Sequence, residues 1–381
     1  MTWEDVRACT KGAICGEDYC TNGPCHDSAC QCNSGYEAVA QSGRTTCVPV
    51  ACGEPPAAPQ HGALIASTGV AFGQTATYAC HGGYEPSSIT ITCGANKQWD
   101  AVPRCNSLPS CTNLPAKCGF NHDDTCCDNA TVEGGRFFVR GDTANEEEVS
   151  TFRLDTYEVS VGRFREFVST GPSSRANAPQ TGSGKSPNNT NGWDAAWNVW
   201  LAADQAGLQQ ALNCEGNYAT FPRENDLRPI NCVTWYEAYA FCAWDGGYLP
   251  TYLQWHYAAT GGAQQRRYPW SKPADSPTVG SDYASYGDGN GHCYGDDDSG
   301  CAYTDLVEVG VKAAGAGRWG HHDLGGNVFE WIADNAGPSP ANAVLGGAYL
   351  YATDAMATSA TYLQPSDSRS SYVGFRCARM Q

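Results

Sequence analysis

What the chain lacks narrows its class before any motif is considered. No apolar run approaches the roughly 20 residues that a membrane-spanning helix needs. Met1 is not followed by the charged and then apolar segment of an export signal, so that signal is expected to have been removed ahead of this numbering. No basic stretch offsets the formal net charge of -17, and phosphate repulsion therefore argues against a nucleic-acid partner. Paired C-x2-C knuckles with matching histidines are also missing, which argues against zinc as the reason for the 21 cysteines. The cysteines are read instead as disulfides. Bridges at this density persist only in an oxidising compartment, so the chain is expected on a cell surface, in a periplasm or in the medium. Their odd number leaves at least one thiol free or bridged to another chain. The acidic balance fits a secreted protein whose acids can also hold cations.

A chain of 381 residues can hold two to four units, and the cysteines divide it. Fifteen of them fall between Cys9 and Cys127, in a stretch poor in aliphatic residues; six are spread over the remaining 254 residues, with most of the tryptophan. The first third thus reads as disulfide-stapled modules and the rest as a domain with an ordinary core.

Within residues 1–50, Cys30-Gln-Cys32 is followed by Gly35-Tyr36 and closed by Cys47, with Cys9, Cys15, Cys20 and Cys25 upstream. This order resembles an epidermal-growth-factor-like module, which implies a final bridge from Cys32 to Cys47; the other pairings stay open, and another small knot is the alternative. Within residues 51–106, Cys52, Cys80, Cys93 and Cys105 are separated by 27, 12 and 11 residues, among His61-Gly62, Phe72-Gly73, Tyr78, Gly83-Tyr84, Trp99 and Pro103. That set resembles a sushi (complement control protein) module, a small β-sandwich, and implies Cys52–Cys93 and Cys80–Cys105. So short a module buries little apolar area, and each bridge adds about 2 to 4 kcal/mol by restricting the unfolded chain.

Residues 107–130 carry Cys111, Cys118, Cys126 and Cys127 without an apolar period and read as a disulfide-clamped connector, the vicinal pair pointing to separate partners. From Thr131 the pattern changes. "GGRFFVRGD" and "STFRLDTYEVS" alternate as half-buried strands do, and "VGRFREFVSTG" sets Val161, Phe164, Phe167 and Val168 at helical spacing before a glycine stop. "TWYEAYAFCAWDGG" is a second helix, with Trp235, Ala238, Tyr239, Cys242 and Ala243 on one side. "STGPSSRANAPQTGSGKSPNNTNGW" has no period and reads as a long surface loop. Two helices among many short strands indicate an α+β domain.

"FRLDTYEVSVGRFREFV", "RPINCVTWYEAYAFCAWDGGYLPTYLQW", "RRYPWS", "HDLGGNVFEW", "VLGGAYL" and "GFRCAR" occur in the order and near the spacing of the formylglycine-generating enzyme (sulfatase-modifying factor) family. The resemblance covers residues 131–381. It implies an irregular α+β fold related to C-type lectins and a bridge from Cys242 to Cys377. Cys293–Cys301 is expected to close a short loop, and Cys214 to pair with Cys232. In catalytic members a cysteine follows the Gly-Gly-Ser strand and a second comes five residues later; together they bind copper and the substrate thiol and activate oxygen. Here those positions are Tyr351 and Met356, and the serine is Ala348. A phenol and a thioether cannot replace two thiolates, the soft ligands that select Cu(I) and exchange with a substrate cysteine. No cysteine lies between Cys301 and Cys377 to rescue the site. No copper is expected, and the "RLPTEAEWE" signature has drifted to Tyr248–His256, without its acids.

The resemblance also implies calcium at Asp323–Trp331, held by Asp323, the Gly326 and Val328 carbonyls and Glu330. Calcium takes six to eight hard oxygens, and a glycine-rich turn lets carbonyls face inward beside carboxylates. A second calcium would begin at Asp282 and the Tyr283 carbonyl and borrow from Asp296, Asp297 and Asp298; a solvated acidic loop is the alternative. His321-His322-Asp323 invites a metal or general-base reading, but adjacent strand residues face opposite ways, so one histidine is expected to pack and one to be exposed. Tyr349, Tyr351, Tyr362 and Tyr372 are candidates for the floor of the old substrate groove. Asn129 and Asn188 lie in sequons, which carry glycans only where the source attaches them. The leading expectation is a calcium-stabilised, non-catalytic recognition or adhesion protein that binds a glycan or protein ligand. The alternatives are a filament or surface-layer subunit that docks on copies of itself, and a divergent oxidase or hydroxylase using another metal.

Overall fold

Disulfides hold the first unit together, as its scarce apolar residues require. The computed structural model describes residues 13–15, 18–20, 25–26, 29–41, 44–86, 88–114, 117–296, 300–334 and 341–380, and the chain divides into two compact units, 1–106 and 107–381. In the first, β1 (Tyr36–Gln41) pairs antiparallel with β2 (Arg44–Pro49). A three-stranded antiparallel sheet follows, with β4 (Thr75–Cys80) between β3 (Gly62–Ser67) and β5 (Ser88–Thr92). Along β4 every second side chain, Ala76, Tyr78 and Cys80, turns inward to meet Ile89 and Ile91, the period of a sheet with one buried face. The bridges are Cys32–Cys47, Cys52–Cys93 and Cys80–Cys105. The side chains of Cys9, Cys15, Cys20, Cys25 and Cys30 lie outside the described residues.

The second unit is mixed helix and sheet. β9 (Phe152–Asp155) is flanked by β6 (Asn129–Val132) and β14 (Ala378–Met380), so the C-terminal strand closes an antiparallel sheet with strands from early in this unit. β7 (Gly135–Phe138) and β8 (Glu146–Val149) form a hairpin. A four-stranded sheet has the order β12 (Tyr362–Pro365), β11 (Ala341–Leu345), β10 (Phe329–Trp331), β13 (Val373–Gly374); only the last pairing is parallel.

The helices start where side chains can satisfy free N–H groups. Ser160 caps α1 (Val161–Thr170) by accepting from Arg163 N–H. Thr234 with Glu237, and Thr251 with Gln254, make reciprocal capping boxes for α3 (Trp235–Trp244) and α4 (Tyr252–Thr260), while α2 (Gln205–Ala211) is capped by Asp204. The drifted signature therefore keeps its helix start, with Gln254 doing the capping work of an acid. Val161, Phe164, Phe167 and Val168 face the core, as their spacing predicts. α3 departs from a one-sided helix: Glu237, Ala240 and Phe241 are buried along with Trp235, Ala238, Tyr239 and Cys242, while Ala243 is half-buried. The Phe241 ring stacks on Phe164 at 5.7 Å and meets Phe375 edge-on at 5.3 Å. The segment ending at Trp193 is irregular but not a surface loop throughout, since hydrogen-bonded turns fold the Trp193 side chain into the core.

Residues 107–130 belong to this second unit. Cys111 pairs with Cys127 and Cys118 with Cys126, so the vicinal cysteines do have separate partners. Ser110 reaches the centre: its N–H donates to Asp245 (2.9 Å), and its hydroxyl accepts from Arg163 Nε (3.0 Å). There Arg163 binds Asp155 (2.8 Å) and Asp245 (2.7 Å), and Arg379 binds the same two carboxylates, closing a ring of four fully buried charges. Burial alone would raise the Asp155 carboxyl, but Arg163 and Arg379 override it and hold the group below the usual range. Asp155→Ala should cost about 3 to 5 kcal/mol, because two guanidinium groups lose half their buried counter-charge. Urea unfolding of the whole chain measures this, and a loss under about 1 kcal/mol, the value of a surface pair, would contradict it.

Candidate functional site

Two glycine-rich turns meet inside the second unit. In the first, Asp323, Gly326 and Asn327 have φ of 57°, 92° and 59°, and a side chain on Gly326 would run into the Ser285 carbonyl at 2.3 Å. In the second, which follows β11, Gly346 and Gly347 have φ of 96° and 77°. A β-carbon on Gly347 would lie 2.8 Å from Met356 Cγ. The Gly326 N–H donates to the Gly346 carbonyl (2.8 Å) and the Tyr349 N–H to the Asn327 carbonyl (2.9 Å), which locks the turns together.

Ala348 is buried, and Tyr351 is half-buried in an aromatic cluster, its ring 4.9 Å from Phe329, 5.3 Å from Tyr372 and 6.0 Å from Tyr362. Burial, hydrogen bonding with Tyr372 and the neighbouring Tyr362 and Glu215 push its phenol above the ordinary range, so Tyr351 is neutral at physiological pH. Met356 is buried with Tyr268, Trp270 and Ala284. Tyr349 is buried beside Tyr218, so it does not floor an open surface as expected, while Tyr362 is 37% exposed. Every cysteine of residues 107–381 is bridged: Cys111–Cys127, Cys118–Cys126, Cys214–Cys232, Cys242–Cys377 and Cys293–Cys301. A neutral phenol, a packed thioether and no thiolate do not fit Cu(I).

The first turn gathers buried acids. Glu330 accepts from Arg376 through both oxygens (2.7 and 2.8 Å) and from Trp255 Nε1 (2.8 Å). Glu158 accepts from Asn327 Nδ2 (2.7 Å) and the Val328 N–H (3.1 Å), and Asp323 accepts from the Gly310 N–H (2.7 Å). Burial raises all three carboxyls; Asp323 and Glu330 raise Glu158 further, whereas Arg376 opposes the rise at Glu330. Three carboxyls are buried near the Arg376 guanidinium, with Lys312 and His322 also acting on Asp323; burial disfavours their ionised forms, and a bound cation would favour them. Among the described residues no three His, Cys, Asp or Glu side chains converge as a metal-ligand group, and none donates a hydrogen bond to the Gly326 or Val328 carbonyl. The oxygens left for calcium here are the second oxygen of Asp323 and those two carbonyls, fewer than the six to eight that the ion takes. Glu330, already held by Arg376, would act as a nearby charge.

The other candidates separate. Asp282 is exposed, Tyr283 half-buried and Asp296 half-buried; Asp297 and Asp298 lie outside the described residues. Sequence reasoning missed Asp305, which is buried there and accepts from the Gly295 (2.9 Å) and Ala302 (2.8 Å) N–H groups. It also missed Glu158 and Arg376, although Arg376 stands in "GFRCAR" and Glu158 in "DTYEVS". His321 is buried, with burial lowering it to about 3, and His322 is half-buried and stacked on Tyr157 at 5.5 Å. Asn129 is buried within β6, which makes it a poor glycan acceptor, whereas Asn188 is exposed.

Fold and site together define an α+β, C-type-lectin-like scaffold of the formylglycine-generating type in which the thiol pair is absent. Residues 117–381 match the sulfatase-modifying factor enzyme 1-like domain, and the chain belongs to that family; residues 52–105 match the sushi repeat. The chain is 25% identical to the mouse (Mus musculus) "Inactive C-alpha-formylglycine-generating enzyme 2", over 65% of its own length and 84% of the relative's. It is 29% identical to the formylglycine-generating enzyme of Thermomonospora curvata, over 47% of its own length and 63% of the enzyme's. Among solved structures, Treponema denticola variable protein 1 aligns with 66% of this chain and 95% of its own, at 16% identity and a TM-score of 0.39.

One histidine carries a pH prediction. His256 is buried in α4 between Phe137 (5.5 Å) and Tyr252 (5.4 Å), and neither ring nitrogen has a partner among the described residues. Burial, with Arg140 nearby, lowers it to about 4. Unfolded, the imidazole takes a proton near its ordinary value of about 6.5. Between those values the unfolded state binds more protons, so stability falls as pH drops below about 6.5. His256→Phe should therefore lose less stability than the parent between pH 7.5 and 5 in parallel urea titrations. Equal losses would place the group outside this linkage.

Proposed function

We propose that the chain is an extracellular, non-catalytic recognition protein in which a formylglycine-generating-type scaffold presents a binding groove instead of oxidising a thiol. The carrying observation is the cysteine pairing: a unit in which all thiols are bridged has no soft pair with which to hold copper or exchange with a substrate cysteine. Tyr351, Tyr362 and Tyr372 around Phe329 offer ring faces and hydroxyls where that chemistry would stand, a lining suited to glycans or peptides. The sushi module and the dense disulfides support an extracellular setting, and among the described residues no helix is long and apolar enough to cross a membrane. Calcium at the Asp323 turn is the proposed stabiliser, because it would neutralise buried acids next to the groove-bearing strand.

The protein, supplied with Cu(I), oxygen and a cysteine-containing peptide, is expected to consume no oxygen and yield no aldehyde, while a glycan and protein array with calcium present should return a ligand. Aldehyde formation would end the reading, and a blank array would remove the recognition role. Calcium in large excess over its Kd should raise Tm by about 5 °C or more relative to chelator, by mass action on the folded state. Asp323→Ala should abolish the shift; a parent protein whose Tm ignores millimolar calcium would exclude the site.

A further inference from the structure

A cavity of about 420 Å³ opens at the start of β11, away from the glycine turn that follows the same strand's end, and its lining includes none of Tyr351, Tyr362 and Tyr372. Its walls are of two kinds. Trp197, Trp235 and Tyr236 supply aromatic surface, and Asn188, Asp334 and Asn342 supply amides and a carboxylate. The aromatic side continues outward: Trp200, 47% exposed at the end of the 3-10 helix Ala195–Trp200, stacks on Tyr236 at 5.7 Å with ring planes 9° apart.

The polar groups are held from behind. Asp334 accepts from the Tyr252 N–H (2.6 Å), and Asn342 Nδ2 donates to Ser366 Oγ (2.9 Å). Trp235 Nε1 donates to the Ile332 carbonyl (2.8 Å), which fixes the orientation of its ring. Among the described residues no donor reaches Asn342 Oδ1, and the only side chain on Asp334 is the amide of exposed Asn188, at a long 3.3 Å. The walls are thus set in place by scaffold contacts while part of their hydrogen-bonding capacity stays directed at the opening, the condition for preorganised recognition.

We propose that this cavity binds a neutral pyranose sugar, alone or as the end of a glycan. A pyranose ring has an apolar face of C–H bonds and a rim of hydroxyls, each both donor and acceptor. The first matches aromatic surface, and the second matches amides and a carboxylate. A quaternary ammonium ion is the nearest competitor, since rings and a carboxylate attract it. It would cover the Asn342 carbonyl oxygen without offering it a donor, a loss that a hydroxyl-bearing ligand avoids. The volume is within the ordinary range for small-molecule sites, about 300 to 1,000 Å³.

The test is calorimetric titration and tryptophan fluorescence of the whole chain against the methyl glycosides of glucose, galactose, mannose and N-acetylglucosamine, their β-linked disaccharides, and tetramethylammonium. At least one sugar is expected to bind. Trp200→Ala, at a partly exposed position, should weaken it about five-fold, and Asn342→Ala about ten-fold. Asp334→Asn should keep sugar binding within about three-fold, because the amide still offers an acceptor. Circular dichroism and Tm check that each variant is folded. Failure of every sugar, binding of tetramethylammonium instead with loss in Asp334→Asn, or sugar binding unchanged in both Trp200→Ala and Asn342→Ala would each overturn the proposal.

Discussion

Four charges buried away from solvent set the geometry of the second unit. Asp155 comes from β9, Arg163 from α1, Asp245 from the end of α3 and Arg379 from β14, so the ring joins the central strand, two helices and the closing strand. Ser110 adds the connector. Such a ring gives little net stability over apolar packing, but breaking it is costly, so it acts mainly on specificity: only one docking of these elements leaves no charge unpaired. Next to it, the bridge between Cys242 and Cys377 joins α3 to the residue that leads into β14, the strand of Arg379. A fold with so little regular structure takes its definition from these fixed points.

The segment after β11 shows how the scaffold keeps its form without a thiol pair. Met356 is flexible and apolar, and it fills the space beside Gly347 and against Trp270 as a core side chain does. Tyr351 joins the rings around Phe329. Neither substitution leaves a hole, so the glycine turn and the sheet survive without the thiols that distinguish the catalytic members.

Much of this was legible in the sequence, because the legible parts are local. The spacing of Val161, Phe164, Phe167 and Val168 repeats with the helical turn, and α1 buries that face. Six quoted motifs carry the family, and their cysteine-free strand carries the argument about copper. What escaped is long-range. Asp155 and Arg379 are 224 residues apart, and nothing local tells a buried ionic ring from surface charges. Glu158 and Arg376 reach the Asp323 turn in the same way. The long Gly/Ser/Asn segment read as exposed because its composition is that of a loop; one tryptophan, Trp193, overrides the composition by burying its ring, and its neighbours Trp197 and Trp200 build an aromatic wall that no periodicity announces. Helix α3 was legible as a helix, but not its burial on all sides, since Glu237 looks solvent-facing until Arg369 is seen to cover it.

The two peptide hydrogen bonds between the glycine turns, Gly326 to Gly346 and Tyr349 to Asn327, have a mechanical consequence. They tie the 323–327 segment to the turn that leads from β11 to Tyr351. Whatever clamps the acidic segment also sets the tilt of the tyrosine floor, and whatever presses on that floor is felt at the acids. Any coupling between occupants of the two places would run through these bonds and would be equal in both directions, since linkage is reciprocal.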